Sequence, residues 1–199
     1  MGGFLFTIFY IVSMRIAIIG MQGTGKTTLL EALKKDWNVD WEIMPSIGRT
    51  MKSMGLPINE MGSDKTQYEA LFLTLEQLKY KDGFYARTFV DGFVYTKYLA
   101  ERGLVHPDIL ETWARYLERN QKEYDYQFYL KPEFDLEKDG TRSEDDDFNY
   151  NSERLFNETV EYLKSIGVKI YELTGSVEER VAQVNEIVKK AKGEVNEEV

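Results

Sequence analysis

The sequence predicts an α/β protein built on a parallel sheet of five strands, with a lid over its binding edge. Short apolar runs alternate with segments of helical periodicity, which is the pattern of parallel strands joined by right-handed crossovers. A glycine-rich segment, residues 20–27, joins the first apolar run to the first helical segment. A charged stretch without periodicity, residues 131–150, is long enough to be a lid or a binding loop.

The glycine-rich segment indicates a phosphate-binding loop. Residues 20–27 read GMQGTGKT and match the pattern G-x-x-x-x-G-K-[ST] between an apolar strand and a helix. In such a loop the backbone N–H groups and the helix dipole face the phosphates, the lysine reaches the β- and γ-phosphates, and the hydroxyl ligates magnesium. We therefore predict a three-layer P-loop NTPase fold that binds a nucleotide and Mg²⁺. The predicted nucleotide-binding residues are Gly20, Gln22, Gly23, Thr24, Gly25, Lys26, Thr27 and Thr28.

The remaining elements follow from periodicity and from helix-end residues. Residues 16–19 are continuously apolar, as in a strand covered on both faces. Strands are expected at residues 14–19, 39–44, 87–91, 126–130 and 168–173. Helices are expected at residues 26–36, 47–54, 64–81, 93–102, 108–122 and 153–165, and from 177 until the pattern fades near 193. Asp64 with Gln67, and Ser176 with Glu179, are spaced as caps of the third and last helices.

Composition narrows the function classes. The chain has 199 residues, which suits one domain, and it contains one histidine and no cysteine. The lack of cysteine excludes disulfides and thiolate metal sites, and it favours a cytoplasmic location. The net charge of −9 disfavours a nucleic-acid partner without excluding one. A nucleotide or nucleoside is the expected partner, and a homodimer is left open.

Three segments are distinguished along the chain: an apolar extension over residues 1–13, a main domain over 14–192 and a frayed tail over 193–199. The apolar run at residues 4–12 is too short to span a bilayer and lacks the features of a secretory signal. We interpret it as an upstream start, with Met14 as an alternative initiator. A weak interfacial anchor or an extra strand is the second interpretation.

Three further residues are candidates for chemistry. Asp91 is expected at the end of a buried strand, where an acid holds magnesium or accepts a proton from the attacking hydroxyl; the alternative is a helix cap. Arg49 is suited to grip a phosphate or a base edge, and a surface arginine is an equal alternative. Arg142 is a candidate arginine finger in the lid. The acidic residues of the lid, taken alone, indicate only a solvated loop.

Several motifs together resemble the P-loop nucleoside and nucleotide kinases. The similarity is to small AAA-type ATP-binding kinases, a group with ribosylnicotinamide kinases and phage deoxynucleotide kinases, and it covers about residues 14–191. The motifs beyond the P-loop are Arg49 followed by Gly55, Leu56, Pro57, Ile58 and Asn59; Gln67; Asp91 ahead of Tyr98; and Asp139, Gly140, Thr141, Arg142 and Ser143 followed by Phe148.

The resemblance implies strand order 2-3-1-4-5, a lid at 131–150 and transfer of the γ-phosphoryl group of ATP to a nucleoside or nucleotide. It implies that Lys26, Asp91 and Arg142 are catalytic, that Arg49 and Asp91 contact the acceptor, and that Thr27 and Asp91 hold the metal. The sequence departs from the pattern where Gly92 replaces an expected arginine and where Pro45 and Ser46 replace an expected acid. A kinase acting on a modified base in DNA, and an ATPase or switch without an acceptor, stay as alternatives.

Overall fold

The computed structural model describes residues 13–133 and 143–197, the last six of these by their backbone only. Residues 1–12, most of the predicted extension, lie outside this range. The strands are β1 (Arg15–Ile19), β2 (Gly83–Tyr85), β3 (Tyr126–Leu130) and β4 (Ile170–Leu173). The helices are α1 (Lys26–Trp37), α2 (Ile47–Ser53), α3 (Asp64–Gln77), α4 (Phe89–Glu101), α5 (Pro107–Arg119), α6 (Asp146–Ser165) and α7 (Val177–Glu197), with 3-10 turns at Asn59–Met61 and Gln121–Glu123.

The sheet is parallel and has the order β2-β1-β3-β4. In β1, Ile16 and Ile18 point into the core formed with α1 and α7, where Leu29, Leu30 and Val184 are fully buried. The alternate residues Ala17 and Ile19 belong to the core on the other face, with α4, α5 and α6. Because both faces of β1 are covered, its continuous apolar sequence is explained and the three-layer α/β architecture is confirmed.

The predicted strand at residues 39–44 is not formed as a strand. Among the described residues four strands are present, and this segment contributes only a parallel bridge between Ile43 and Phe84. Two hydrogen bonds make the bridge, from Met44 N–H to the carbonyl of Phe84 and from Phe84 N–H to the carbonyl of Glu42. Pro45 follows at once and has no N–H to extend the ladder. The bridge lies beside β2, the place that the order 2-3-1-4-5 gives to this segment.

The predicted strand at residues 87–91 is wrong. The strand lies earlier, at Gly83–Tyr85, and Thr88 is the N-cap of α4. Its hydroxyl accepts a hydrogen bond from Val90 N–H, while the Asp91 carboxylate accepts one from Thr88 N–H. Thr88 and Asp91 thus form a capping box, so Asp91 lies in the first turn of a helix and does not end a strand.

The acid-rich end of the predicted lid is also helical. Asp145 caps α6 by accepting a hydrogen bond from Phe148 N–H at 2.7 Å, and Asp146 and Asp147 occupy the first turn. Carboxylates are favourable there because they face the positive end of the helix dipole. The helix therefore starts seven residues before the predicted 153. Residues 134–142 of the predicted lid, including Arg142, lie outside the described residues. Helix α7 continues past 193 to Glu197.

Gly92 is explained by packing against α5. A Cβ at this position would lie 2.0 Å from the Trp113 ring, which is fully buried. We expect Gly92→Ala to lower the free energy of unfolding by about 1–3 kcal/mol, because the added methyl group overpacks the core at this point. Urea denaturation measures the change. Adding Trp113→Phe to Gly92→Ala should recover part of the lost stability, because the smaller ring leaves room for the methyl group. A Gly92→Ala protein as stable as the wild type would contradict the close contact between residue 92 and Trp113.

No helix in the described part of the chain is long and apolar enough to cross a membrane.

Candidate functional site

The phosphate-binding loop follows β1 and is fixed against the sheet. Gly20 has φ of 146°, and a Cβ there would lie 2.5 Å from the carbonyl oxygen of Leu130 at the end of β3. Gly23 and Gly25 have φ of 79° and 84°, in the left-handed region that favours glycine. The loop then enters α1 at Lys26, whose helix begins with Gly25 as N-cap. This is the strand, loop and helix arrangement that the motif requires.

Lys26 lies inside the loop. Its ammonium donates hydrogen bonds to the carbonyl oxygens of Gly20, at 2.6 Å, and Met21, and only 7% of the residue is exposed. The Thr24 hydroxyl lies 3.5 Å from the same ammonium. A cation held at the mouth of a curled backbone is placed to meet phosphate oxygens.

Gln22 ties the loop to the start of α6. Its amide oxygen accepts a hydrogen bond from Ser143 N–H at 2.9 Å, and its amide nitrogen donates to the Ser143 carbonyl at 3.0 Å. The amide nitrogen also donates to Asn149 Oδ1 at 2.9 Å. A buried amide with these partners holds the loop in one conformation. The motif predicts Gln22 only as one of its variable positions, so this role is found in the structure alone.

The back of the loop is supported by α7. Arg180 is 1% exposed, donates a hydrogen bond to the carbonyl of Thr24 at 3.0 Å and forms an ion pair with Glu133 at 3.0 Å. Glu133 also accepts a hydrogen bond from Gly175 N–H. Arg180 was missed by the sequence analysis, since no local pattern marks a residue that acts 156 positions away from its partner.

A cleft of about 320 Å³ opens in front of the loop. One wall is the loop and the start of α1, and the other wall comes from α2, the 3-10 turn and the segment after β2. The lining residues are Gln22, Gly23, Gly25, Lys26, Thr27, Thr28, Glu31, Ser46, Gly48, Arg49, Ile58, Asn59, Ala86 and Arg87. Of the predicted nucleotide-binding residues, Gly20 and Thr24 are not in this lining. Gly20 lies against the Leu130 carbonyl, and the Thr24 hydroxyl donates a hydrogen bond to the Met21 carbonyl within the loop.

The wall that contains α2 brings together residues distant in sequence. Arg49 lines the cleft from α2, the short helix on which the sequence analysis placed it. Asn59 lines it from the 3-10 turn and has φ of 56°, a left-handed conformation that few non-glycine residues adopt. Such backbone conformations cluster at functional sites. Arg87 adds a second cation beside Ala86.

Arg87 is held by Asp91 and Tyr95. Its guanidinium donates to Asp91 Oδ1 at 3.2 Å and to the Tyr95 hydroxyl at 2.9 Å. Asp91 is 1% exposed and accepts further hydrogen bonds from the backbone N–H and hydroxyl of Thr88. Burial raises the pKa of Asp91, while the charges of Arg87 and Lys26 and the bonds from Thr88 oppose that rise. Asp91 therefore reaches the cleft through Arg87 and is not itself in the lining.

The strand before α4 ends earlier than the sequence analysis predicted. Since β2 ends at Tyr85, the residues that directly follow the strand are Ala86 and Arg87, and Asp91 and Gly92 lie within α4. Ala86 then stands where the strand-end acid was expected, and Asp91 approaches from the helix that follows. The Thr88–Asp91 spacing was the signal in the sequence that could have shown this.

The donor set fits magnesium bound together with a nucleotide. The Thr27 side chain is exposed on the cleft wall at the first turn of α1. Within residues 13–133 and 143–191 no group of three or more histidine or acidic side chains is placed to hold a metal ion. Mg²⁺ in phosphate sites takes one or two protein ligands and completes its shell with phosphate and water oxygens, so a single hydroxyl is compatible with it.

Residues 15–180 match the family model described as an AAA domain. The chain belongs to this AAA domain family. Solved structures of a deoxyadenosine kinase and a thymidylate kinase share its fold. No curated protein sequence matches the chain.

Three solved structures illustrate the likeness. Deoxyadenosine kinase from M. mycoides, with products dCMP and dCDP bound, has a TM-score of 0.65 and 17% identity over 89% of this chain and 100% of that one. Thymidylate kinase from Candida albicans has a TM-score of 0.56 and 14% identity, over 90% of this chain and 92% of that one. NadR in complex with NR has a TM-score of 0.62 and 14% identity, over 82% of this chain and 46% of that one. This AAA domain chain therefore spans about half of the NadR chain. At these identities the likeness concerns the fold.

Proposed function

We propose that this AAA domain protein is an ATP-dependent phosphotransferase that moves the γ-phosphoryl group to a nucleoside or nucleotide. The observation that carries the proposal is the two-walled cleft. A phosphate-binding loop forms one wall, and Arg49, Asn59 and Arg87 form the other, within one volume of about 320 Å³. A transferase needs a seat for an acceptor opposite the nucleotide, whereas a hydrolytic switch does not. The kinases of similar fold support the same reading.

The roles follow from what each residue can reach. The loop N–H groups and Lys26 bind the β- and γ-phosphates, and Thr27 supplies the protein ligand to Mg²⁺, which neutralises phosphate charge when bound. Arg87 faces the cleft and stabilises negative charge on the transferring group. Asp91 orients Arg87, and its role as base or metal partner stays a proposal. Arg142 is proposed as the lid arginine that closes over the phosphates.

The charges in the cleft favour an acceptor that carries phosphate. Three cations, Lys26, Arg49 and Arg87, line the cleft with one carboxylate, Glu31, and a second carboxylate, Asp91, pairs with Arg87 behind the lining, which leaves the cleft net positive on a chain whose net charge is −9. Cations concentrated in one cleft of an acidic protein focus the field on an anionic ligand. A nucleoside monophosphate therefore fits better than a nucleoside. The same charge balance disfavours duplex DNA, which binds a broad basic surface.

The test is transfer from labelled ATP to a panel of nucleosides, monophosphates and duplexes with modified bases, read by mass. The proposal expects a product one phosphate heavier from at least one nucleoside or monophosphate. Phosphate incorporated only into the duplexes would instead establish the kinase acting on DNA. ADP release with no phosphorylated acceptor would leave only the ATPase or switch and would contradict the proposal.

A further inference from the structure

Gly48 is a helical glycine that the protein's own packing does not require. Among the described glycines, most have φ between +20° and +160°, and Gly62 and Gly92 lack room for a Cβ. Gly48 differs from all of these. Its backbone is helical, within α2, and a Cβ built on it meets no atom within 4 Å. Glycine lowers helix stability relative to alanine, so another reason for this residue is needed.

The position of Gly48 supplies that reason. It lines the cleft next to Arg49, on the wall that contains α2. Its neighbour Ile47 is 8% exposed and packs into the core with Met51, which fixes the face that α2 turns inward. Gly48 thus borders the cleft and has open space beside its Cα. Glycine is the residue that allows a ligand to approach a backbone closely.

We infer that Gly48 is a specificity-determining residue, whose missing side chain leaves room for the acceptor to lie against the backbone of α2. This inference rests on the proposed function and deepens it, because it assigns the acceptor a seat between α2 and the phosphate-binding loop. Arg49, one residue on, then meets the polar or anionic part of the acceptor. A Cβ at position 48 takes up part of that space and meets no atom of the free protein within 4 Å.

The test uses the full chain with AMP-PNP and Mg²⁺ present, titrated calorimetrically with nucleosides and deoxynucleoside monophosphates. We expect Gly48→Ala to weaken acceptor binding by about 10-fold and Gly48→Val by about 100-fold, as expected for a group that overlaps a ligand in its pocket. Affinity for AMP-PNP alone should stay within about twofold, because the loop that binds it is unchanged. Gly48→Ala should keep the unfolding midpoint or raise it by about 1–3 °C.

Ser53→Ala is the matched control. It lies on the same helix, is exposed and is outside the cleft lining, and it also raises helix propensity. It should leave both affinities unchanged.

The outcomes separate this inference from the proposed function. Equal acceptor binding by wild type, Gly48→Ala and Gly48→Val would overturn the inference and leave the kinase proposal standing. A lowered unfolding midpoint in Gly48→Ala, or a loss of AMP-PNP binding, would also overturn it, since Gly48 would then serve the fold or the donor nucleotide. A wild-type chain that binds no nucleoside or monophosphate would contradict both.

Discussion

Lys26→Ala should abolish phosphoryl transfer, with a fall in turnover of about 1,000-fold or more, because removing one preorganised charge from such a site has effects of this size. The ammonium now lies on the carbonyls of Gly20 and Met21. Its loss removes the cation that meets the phosphates and also removes its hydrogen bond to the Gly20 carbonyl, while the Met21 carbonyl keeps the bond from the Thr24 hydroxyl. The measurement is the rate of product formation by mass, with AMP-PNP affinity determined in parallel.

Two variants separate the chemistry from the fold. Lys35→Ala removes a charge from the exposed side of the same helix and should leave turnover unchanged. Lys26→Arg keeps the charge, and its larger group should restore little activity because the loop interior that holds the ammonium is tight. Lys26→Ala with wild-type turnover and an intact fold would remove the basis for the transferase assignment.

The pair of Arg87 and Asp91 should show a separation of stability from activity. Removing one member leaves the other charge buried, which costs about 3–5 kcal/mol. We therefore expect Asp91→Asn and Arg87→Met each to lower the free energy of unfolding by roughly this amount. The double variant, which carries neither charge, should recover about 1–3 kcal/mol of the summed loss. Transfer should be lost in all three, because Arg87 is absent or misplaced.

Urea denaturation and turnover assays on the four proteins measure this cycle. The capping bond from Thr88 N–H to residue 91 can persist with asparagine, so the cycle reports mainly on the charges. If the double variant regains turnover together with stability, the pair serves only the fold and Arg87 has no part in transfer. Additive single effects would show that the two side chains are not coupled.

The sequence was most informative where a local pattern determines the backbone. The P-loop motif predicted a strand, a loop and a helix with their ends nearly in place, and β3 was predicted at its observed residues, 126–130. It failed at residues 87–91, where an apolar run that reads as a strand is the capped start of α4. The capping spacing from Thr88 to Asp91 was present but was outweighed by β-branched and aromatic residues.

The contacts that complete the site were beyond local patterns. Gln22 with Ser143, and Arg180 with Thr24, join residues 121 and 156 positions apart, and neither pairing leaves a periodic trace. The prediction of a strand at residues 39–44 failed for a related reason. The apolar residues of this segment suit a strand, yet Pro45 and the short β2 leave room for only one bridge to Phe84. Pairing partners decide whether such an edge segment becomes a strand.

The two walls of the cleft are held by different kinds of contact. The phosphate-binding loop lies against β3 at Leu130 and is hydrogen-bonded to Ser143 and Arg180. The wall that contains α2 meets the sheet at the Ile43 bridge and packs into the core through Ile47 and Met51. Under the proposed function, substitutions at the cleft-facing positions of α2 would change which molecule receives the phosphate without touching the hydrogen bonds that hold the phosphate-binding loop.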